Sequence, residues 1–204
     1  MSLAWARPGV PAVLSALLLL GCASMPPAPV EPLNLSDVLA LDRWSLKARL
    51  ALSNGGDGGS GQLEWHHAPD RSEMRFHGAF GRGSWRLTSE ADSAALRLAD
   101  GTVYTADDVE SLVLAQTGWH IPVQALQYWV RGVQSPVLAG KSVIRDAQGR
   151  LQRLEQMGWT VVYDRYRQLD NGMVLPRKIT ATRRDSRIRL IVKSWSLPEP
   201  GPAG

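Results

Sequence analysis

Apolar and polar residues alternate along much of the chain from residue 44 onward, a pattern typical of strands with one buried face. In the first such segment the apolar positions are Trp44, Leu46, Ala48, Leu50 and Leu52. Similar segments recur about every ten residues as far as Val103-Tyr104, which predicts an antiparallel meander that is apolar on one face. Further strands are predicted at 142–145, 151–156, 159–166, 174–182 and 187–195.

Helical spacing replaces this alternation between residues 105 and 132. Thr105, with Asp108 three residues later, resembles a capping box, and Gly118 can end the first helix. Pro122 can open a second helix. A shorter helix is predicted just before the first strand. The sequence therefore predicts a mainly β (α+β) fold of about ten strands, with helices at its start and in its middle.

The N-terminus carries a short apolar stretch, Val10–Leu20, after one positive charge at Arg7. It is too short to span a bilayer, and its charged start and apolar middle are typical of a secretory signal. It ends in Leu19-Leu20-Gly21-Cys22, which resembles a bacterial lipobox, a motif in which the cysteine is acylated and the chain is cut before it. The alternative is an ordinary signal peptide, which leaves the only cysteine as an unexplained thiol.

These features divide the chain into four segments. We expect a lipoprotein signal peptide over residues 1–21, a lipidated N-terminus with a proline-rich tether over 22–35, one globular domain over 36–197 and a flexible tail over 198–204. The absence of Asp directly after Cys22 favours the outer over the inner membrane, by analogy with enterobacterial sorting.

The charge of the chain excludes one class of partner. The formal net charge is +4, of which Arg7 contributes one, and the basic residues are spread along the sequence. Nucleic-acid binding would cluster them on one face, so we expect no nucleic-acid partner. A weak attraction to anionic lipid headgroups is compatible with this charge.

Two segments resemble the glycine motifs of nucleotide-binding sites, but they lack the sequence and structural context that those motifs need. Residues 56–61 match G-x-G-x-x-G, but they lie in a predicted flexible turn, 54–61, between two strands, where no helix N-terminus follows to hold a phosphate. Gly140-Lys141-Ser142 resembles the end of a P-loop, but Ser135 stands where its first glycine belongs.

The sequence offers no other catalytic or metal-binding constellation. A nucleophile elbow is absent, and Asp107-Asp108 is better explained as the start of a helix. Exposure at strand ends is the default expectation for the histidines, which are His66, His67, His77 and His120. We therefore expect no catalytic residue, no metal and no cofactor.

A sheet that is apolar on one face must be covered, and short helices do not readily fill a wide one. We expect the space left over to be a cavity for an apolar ligand. Seven tryptophans follow the predicted signal, and they suit such a cavity or simply a core of large side chains. Phe80 lies between glycines in a predicted hairpin loop, and it either folds back onto the sheet or forms an exposed apolar finger.

Several segments together resemble the LolB family, the outer-membrane receptors of the bacterial lipoprotein-sorting pathway. The resemblance covers nearly all of the predicted domain. It rests on residues 101–108, 117–123, 126–132, 158–163 and 187–192.

The resemblance implies a curved antiparallel sheet that forms an unclosed (half) β-barrel of about ten or eleven strands, capped by about three helices around a hydrophobic cavity. It implies a monomer that accepts acylated lipoprotein clients from a LolA-type periplasmic carrier and places them in the inner leaflet of the outer membrane, in contact with its phospholipid. A loop of the family inserts into the membrane with a Leu before a Gly. Phe80-Gly81 occupies that place here and inherits the role.

Inward apolar residues are the candidates for lining or bordering the cavity, although alternation does not separate ligand-facing positions from core positions. These candidates are Trp44, Leu46, Leu50, Trp65, Trp85, Leu96, Leu112, Leu126 and Trp129. Two alternatives remain open. One is a soluble carrier of the LolA type, against which the lipobox argues because a carrier must not be anchored. The other is a periplasmic hydrolase, for which the sequence shows neither a triad nor a carboxylate pair.

Overall fold

One antiparallel sheet dominates the computed structural model, which describes residues 35–78, 83–136 and 140–198. Eleven strands and three helices fall within these residues. In chain order they are α1 (Leu35–Ala40), β1 (Trp44–Asn54), β2 (Asp57–Ala68), β3 (Arg71–Gly78), β4 (Trp85–Ser89), β5 (Ala94–Leu98), β6 (Val103–Ala106), α2 (Val109–Thr117), α3 (Val123–Trp129), β7 (Ser142–Arg145), β8 (Leu151–Gln156), β9 (Trp159–Gln168), β10 (Val174–Arg183) and β11 (Ser186–Ser196).

The sheet consists of two meanders, which meet in its middle where the first strand of the chain lies beside the last. Strands β1 to β6 pair in chain order, as do β7 to β11, and β1 pairs with β11. That pairing runs from Ser45 opposite Ser196 to Asn54 opposite Ser186. Within the described residues β6 and β7 are the two edges and do not pair with each other, so the sheet stays open. The predicted unclosed antiparallel sheet with about three helices is confirmed.

Alternate residues of the strands are buried on one face of the sheet, which we call the inner face. On β1 these residues are Trp44, Leu46, Ala48 and Leu50, as the alternation predicts. The connection between β6 and β7 carries α2 and α3, and the buried side chains of both helices join those of the sheet in one apolar cluster. The inner face is therefore the floor of the core, and the two helices are its cover.

The predicted flexible turn over residues 54–61 is wrong except at its tip. Only Gly55 and Gly56 form the turn, with φ of 58° and 108°, the geometry of a two-residue hairpin. The residues from Asp57 onward pair with β1 as a strand. Glycine is needed at Gly61 because a Cβ there would collide with the backbone carbonyl of His77 and lie 2.6 Å from the ring of Phe76, so this glycine permits the close packing of β2 against β3.

The first helix of the cover begins later than the predicted capping box. Thr105 belongs to β6 and pairs with Ala95, so its backbone is already used in the sheet. Asp108 is the N-cap of α2 instead, and its carboxylate accepts a hydrogen bond from the backbone N–H of Ser111 at 2.8 Å. Gly118 ends α2 with φ of 70°, as predicted.

His67 departs from the expected exposure of the strand-end histidines. It is half-buried, with its ring centroid 5.0 Å from that of Trp44, while His66, His77 and His120 are exposed. Burial lowers the pKa of His67 to about 4. His67 continues the inward positions of Leu63 and Trp65 along β2, and it packs against Trp44 as a neutral side chain.

A buried amide fixes α3 to the second meander. The Oε1 atom of Gln156, on β8, accepts hydrogen bonds from the indole N–H of Trp129 at 2.8 Å and from the backbone N–H of Ser135 at 3.0 Å. Its Nε2 donates to the carbonyl of Ser135 at 2.8 Å. The rings of Trp129 and Trp159 pack beside this amide, with centroids 6.4 Å apart.

A buried arginine fixes α1. Arg131 follows α3 and is 5 % exposed. Its Nη1 donates to the carbonyls of Val38 at 3.2 Å and Leu41 at 2.6 Å, at the C-terminal end of α1, where a cation is favoured. Its guanidinium lies 5.0 Å from the ring centroid of Tyr128. Val38 packs with Val133 and Leu175, so the helix is held by both charge and apolar contact.

The described strands and helices share one main apolar core. Every described strand and helix lies within 35–198, and residues 31–204 form one compact unit. None of the described helices has both the length and the apolar character needed to cross a bilayer. We therefore expect a 31–204 fragment to fold on its own, which makes it a suitable protein for measurements in solution.

Replacing the buried amide tests its structural role. Gln156→Leu leaves three buried polar groups of Trp129 and Ser135 unpaired, and we expect the free energy of unfolding to fall by about 3 kcal/mol or more. Urea denaturation of the 31–204 fragment measures it. The control is Gln152→Leu, the same change at an exposed position of the same strand, with an expected effect under about 0.5 kcal/mol. Equal unfolding midpoints for the two variants would show that the amide is dispensable.

Candidate functional site

A cavity of about 890 Å³ lies between the inner face and the helical cover. Its volume is in the range of sites that enclose small apolar ligands. It is lined by Leu50, Leu52, Asp57, Gly58, Gly59, Ser60, Leu63, Trp65, Met74, Phe76, Gly78, Gly83, Trp85, Leu87, Leu96, Leu98, Tyr104, Val113, Gln116, Thr117, Trp119, Ile121, Val123, Leu126, Ile188 and Leu190.

The floor of the cavity is built from two rows of side chains that cross neighbouring strands. The first row follows the register from Trp65 through Met74, Leu87 and Leu96 to Tyr104. The second row is made of Leu63, Phe76, Trp85 and Leu98. Inward positions of adjacent strands fall in register, so these side chains line up across the sheet, and every one of them is apolar or aromatic. The rings of Phe76 and Trp85 stack with centroids 5.2 Å apart.

The roof is anchored at its two ends and spans the cavity between them. Helix α2 contacts β5 and β6, at one edge of the sheet, while α3 ends at the buried amide of Gln156 on β8. The connection between the helices contributes Trp119 and Ile121 to the lining. Burial raises the pKa of Glu110, on α2, whose carboxylate accepts a hydrogen bond from the backbone N–H of Gln124 at 3.3 Å and ties the two helices together.

We take the end of the cavity beside the β1–β2 hairpin as its mouth. Gly61 is opposite Gly78, and the residues of β2 before it, from Asp57 to Ser60, line the cavity. Gly59 shares the inward side of β2 with Leu63 and Trp65, and a Cβ at Gly59 would meet nothing within 4 Å. Because Gly59 has no side chain, this part of the mouth is open.

The lining carries little charge. Asp57, at the hairpin tip, is the only carboxylate among the described lining residues. The hydroxyl of Thr117 donates to the carbonyl of Val113 at 2.7 Å and accepts from the backbone N–H of Trp119 at 3.1 Å, so its polar atom is already satisfied. In the described part of the chain no cluster of three metal-ligating side chains was found. Such a lining suits an apolar ligand.

The structure divides the nine sequence candidates between the cavity and the packed core. Leu50, Trp65, Trp85, Leu96 and Leu126 line the cavity. Four others are buried in the core cluster without lining it: Trp44, Leu46, Leu112 and Trp129. Trp44 is enclosed by Trp65 and Trp195, with ring centroids 4.9 and 5.5 Å away, and Trp129 is held by Gln156.

Several lining residues were missed by the sequence analysis. Met74, Phe76 and Leu87 follow the same alternation as the named candidates, so an extended count of inward positions would have found them. Ile188 and Leu190 enter through the pairing of β11 with β1, which alternation does not reveal. Trp119 and Ile121 come from an irregular connection and have no periodic signal. Cys22, Phe80 and Gly81 lie outside the described residues.

Comparison with known proteins identifies the family to which the chain belongs. The family model described as outer membrane lipoprotein LolB matches residues 42–195. Outer-membrane lipoprotein LolB of Stutzerimonas stutzeri is 39 % identical over 189 residues, covering 88 % of this chain and 91 % of that protein. The protein of the same name from Alkalilimnicola ehrlichii is 35 % identical over 190 residues, covering 90 % and 94 %.

Solved structures give weaker similarities. A putative outer membrane lipoprotein-sorting protein domain from Vibrio parahaemolyticus has a TM-score of 0.47 and 11 % identity, covering 82 % of this chain and 92 % of that one. A LolA superfamily protein from Nitrosomonas europaea has a TM-score of 0.45 and 9 % identity, covering 81 % and 94 %. Because both scores are low, the fold assignment rests on the strands and their pairing. The family model and the sequence relatives confirm the resemblance seen in the sequence, and the chain belongs to the LolB family of outer-membrane lipoproteins.

Proposed function

We propose that the protein accepts lipoproteins from a LolA-type periplasmic carrier, encloses their acyl chains in its cavity and inserts them into the inner leaflet of the outer membrane. The observation that carries the proposal is the apolar cavity of about 890 Å³ in a chain of the LolB family. Depletion of the protein in its native host tests the role as a whole, because lipoproteins should then accumulate away from the outer membrane.

The solubility of the cargo explains the need for a cavity. Each methylene of an acyl chain exposed to water costs about 0.8 kcal/mol, so a lipoprotein with several long chains needs shelter while it crosses the periplasm. Apolar rows such as that from Trp65 to Leu96 supply it without polar groups that would need partners. Transfer can proceed without nucleotide or covalent chemistry if each acceptor binds the chains better than its donor does, so we assign no enzymatic step.

An anchor and a membrane contact complete the proposal. Acylation of Cys22 would hold the protein at the periplasmic face of the outer membrane, and Phe80, followed by Gly81, would enter the bilayer. Gly78 and Gly83, the described residues on either side of this segment in the sequence, both line the cavity. A membrane contact there would bring the bilayer to the opening through which the acyl chains leave.

Filling the open side of the mouth should weaken acyl-chain binding. Gly59→Leu places an apolar side chain in space that is empty, so the fold should persist. Exclusion of about two methylenes of ligand, at ~0.8 kcal/mol each, predicts roughly tenfold weaker binding of a fluorescent palmitate analogue to the 31–204 fragment. Fluorescence titration measures the dissociation constant.

The matched control for this variant is Gln62→Leu, which adds the same side chain to an exposed position on the outer side of β2. It should bind the analogue as the unmodified fragment does. Equal affinity of all three proteins would place the acyl-chain site elsewhere.

A charge at the proposed membrane contact should separate acceptance from delivery. Phe80→Glu introduces a carboxylate that opposes insertion into the bilayer, but leaves the described cavity lining unchanged. We expect acceptance of a labelled lipoprotein from the carrier to be retained and its transfer to outer-membrane vesicles to be lost. Phe80→Leu is the conservative control and should transfer normally. Undiminished delivery by the Glu variant would remove Phe80 from the mechanism.

A further inference from the structure

Three arginines form a row on the outer face of the sheet. Arg75 of β3 is opposite Arg86 of β4, which is opposite Arg97 of β5. Neighbouring strands are about 4.8 Å apart, so the row sets three guanidinium groups side by side across about 10 Å. We call these residues the arginine row.

The arginine row is not explained by stability. Like charges directly opposite each other destabilise a sheet. Glu73 offsets part of this repulsion, with its Oε1 2.5 Å from Nε of Arg75 and 3.7 Å from Nε of Arg86, but the same carboxylate also contacts Arg71. Arg97 is exposed and makes no ion pair with the described residues. The row therefore presents excess positive charge to the solvent.

The arginine row lies at the mouth end of the sheet. Arg75 is three residues from Gly78, and Arg86 three residues from Gly83, the two glycines that line the cavity beside the Phe80 segment. A shallow depression of about 190 Å³ is lined by all three arginines together with the exposed His77. Positive charge and a small concave surface thus coincide on β3, β4 and β5, next to the cavity.

We propose that the arginine row binds the phosphate groups of anionic phospholipids and so turns the mouth toward the bilayer. The guanidinium group matches phosphate oxygens with two parallel hydrogen bonds, and three of them in a line fit an array of headgroups. A bilayer is favoured over an acidic protein because the depression at the row shares Phe76, Trp85 and Leu98 with the cavity, from which the acyl chains are proposed to leave for the membrane. This inference rests on the proposed function, in which the bilayer is the destination of the cargo.

Vesicle binding by the 31–204 fragment tests the proposal. Sedimentation is measured with phosphatidylcholine vesicles, with and without phosphatidylglycerol. The test variant combines Arg86→Gln with Arg97→Gln. The control combines Arg153→Gln with Arg165→Gln, two exposed arginines of the second meander, and lowers the net charge equally.

We expect the test variant to bind phosphatidylglycerol vesicles on the order of 30-fold more weakly, with the difference disappearing at high salt, and the control to lose much less. Equal losses in the two variants would reduce the effect to net charge and overturn the proposal. Normal vesicle binding with impaired transfer from the carrier would overturn it in favour of an acidic protein partner.

The palmitate titration keeps this proposal separate from the proposed function. The test variant should bind the palmitate analogue normally, since none of its substitutions faces the cavity. If the unmodified fragment takes up no analogue, the proposed function fails whatever the vesicles show. If uptake is normal and the arginine row proves dispensable for vesicle binding, only the present inference fails.

Discussion

The pairing of β1 with β11 is the contact on which the rest of the structure depends. It joins two meanders whose own pairings are local in sequence, and at its far end it brings together Asn54 and Ser186, 132 residues apart, whose side chains share a hydrogen bond of 2.9 Å. Such a long closure is costly in chain entropy, and extensive burial must offset it. The inner face is continuous only because of this pairing, which also sets Ile188 and Leu190 beside Leu52 and Leu50 in the cavity lining.

The cavity follows from a mismatch between this continuous face and its cover. In the described residues the roof consists of a nine-residue and a seven-residue helix, fixed at different places: α2 against β5 and β6, and α3 through Trp129 against Gln156 on β8. The two helices are joined by the hydrogen bond between Gln124 and Glu110, but they are too short to cover all the strands between these fixed points, which are left partly exposed to the cavity. Apolar side chains of the sheet and the helices enclose most of the space, and Gly59 of β2 leaves its end open.

Local patterns predicted the strands well because alternation depends only on which side of a strand is buried. The bounds of β7 and β8 agree with the sequence analysis, as does the end of α2 at Gly118. The glycines of β2 led to a wrong prediction, because the same composition is found in flexible loops and in closely packed strands. The neighbouring strand, through the carbonyl of His77 and the ring of Phe76, determines which of the two forms here. The same limit applies to the site. Trp44 and Trp65 both face inward, but partners distant in sequence determine that only Trp65 borders the cavity.

The buried contact of Arg131 also has a mechanical consequence. The helix α1 is the first described element of the chain, and the carbonyls at its end are held by a side chain that directly follows α3, the helix that places Leu126 over the cavity. A force that pulls on the chain before α1 would therefore be resisted partly by the guanidinium group of Arg131 inside the core. A single side chain thus links the first described helix to the roof of the cavity, so a displacement of α1 would act directly on that roof.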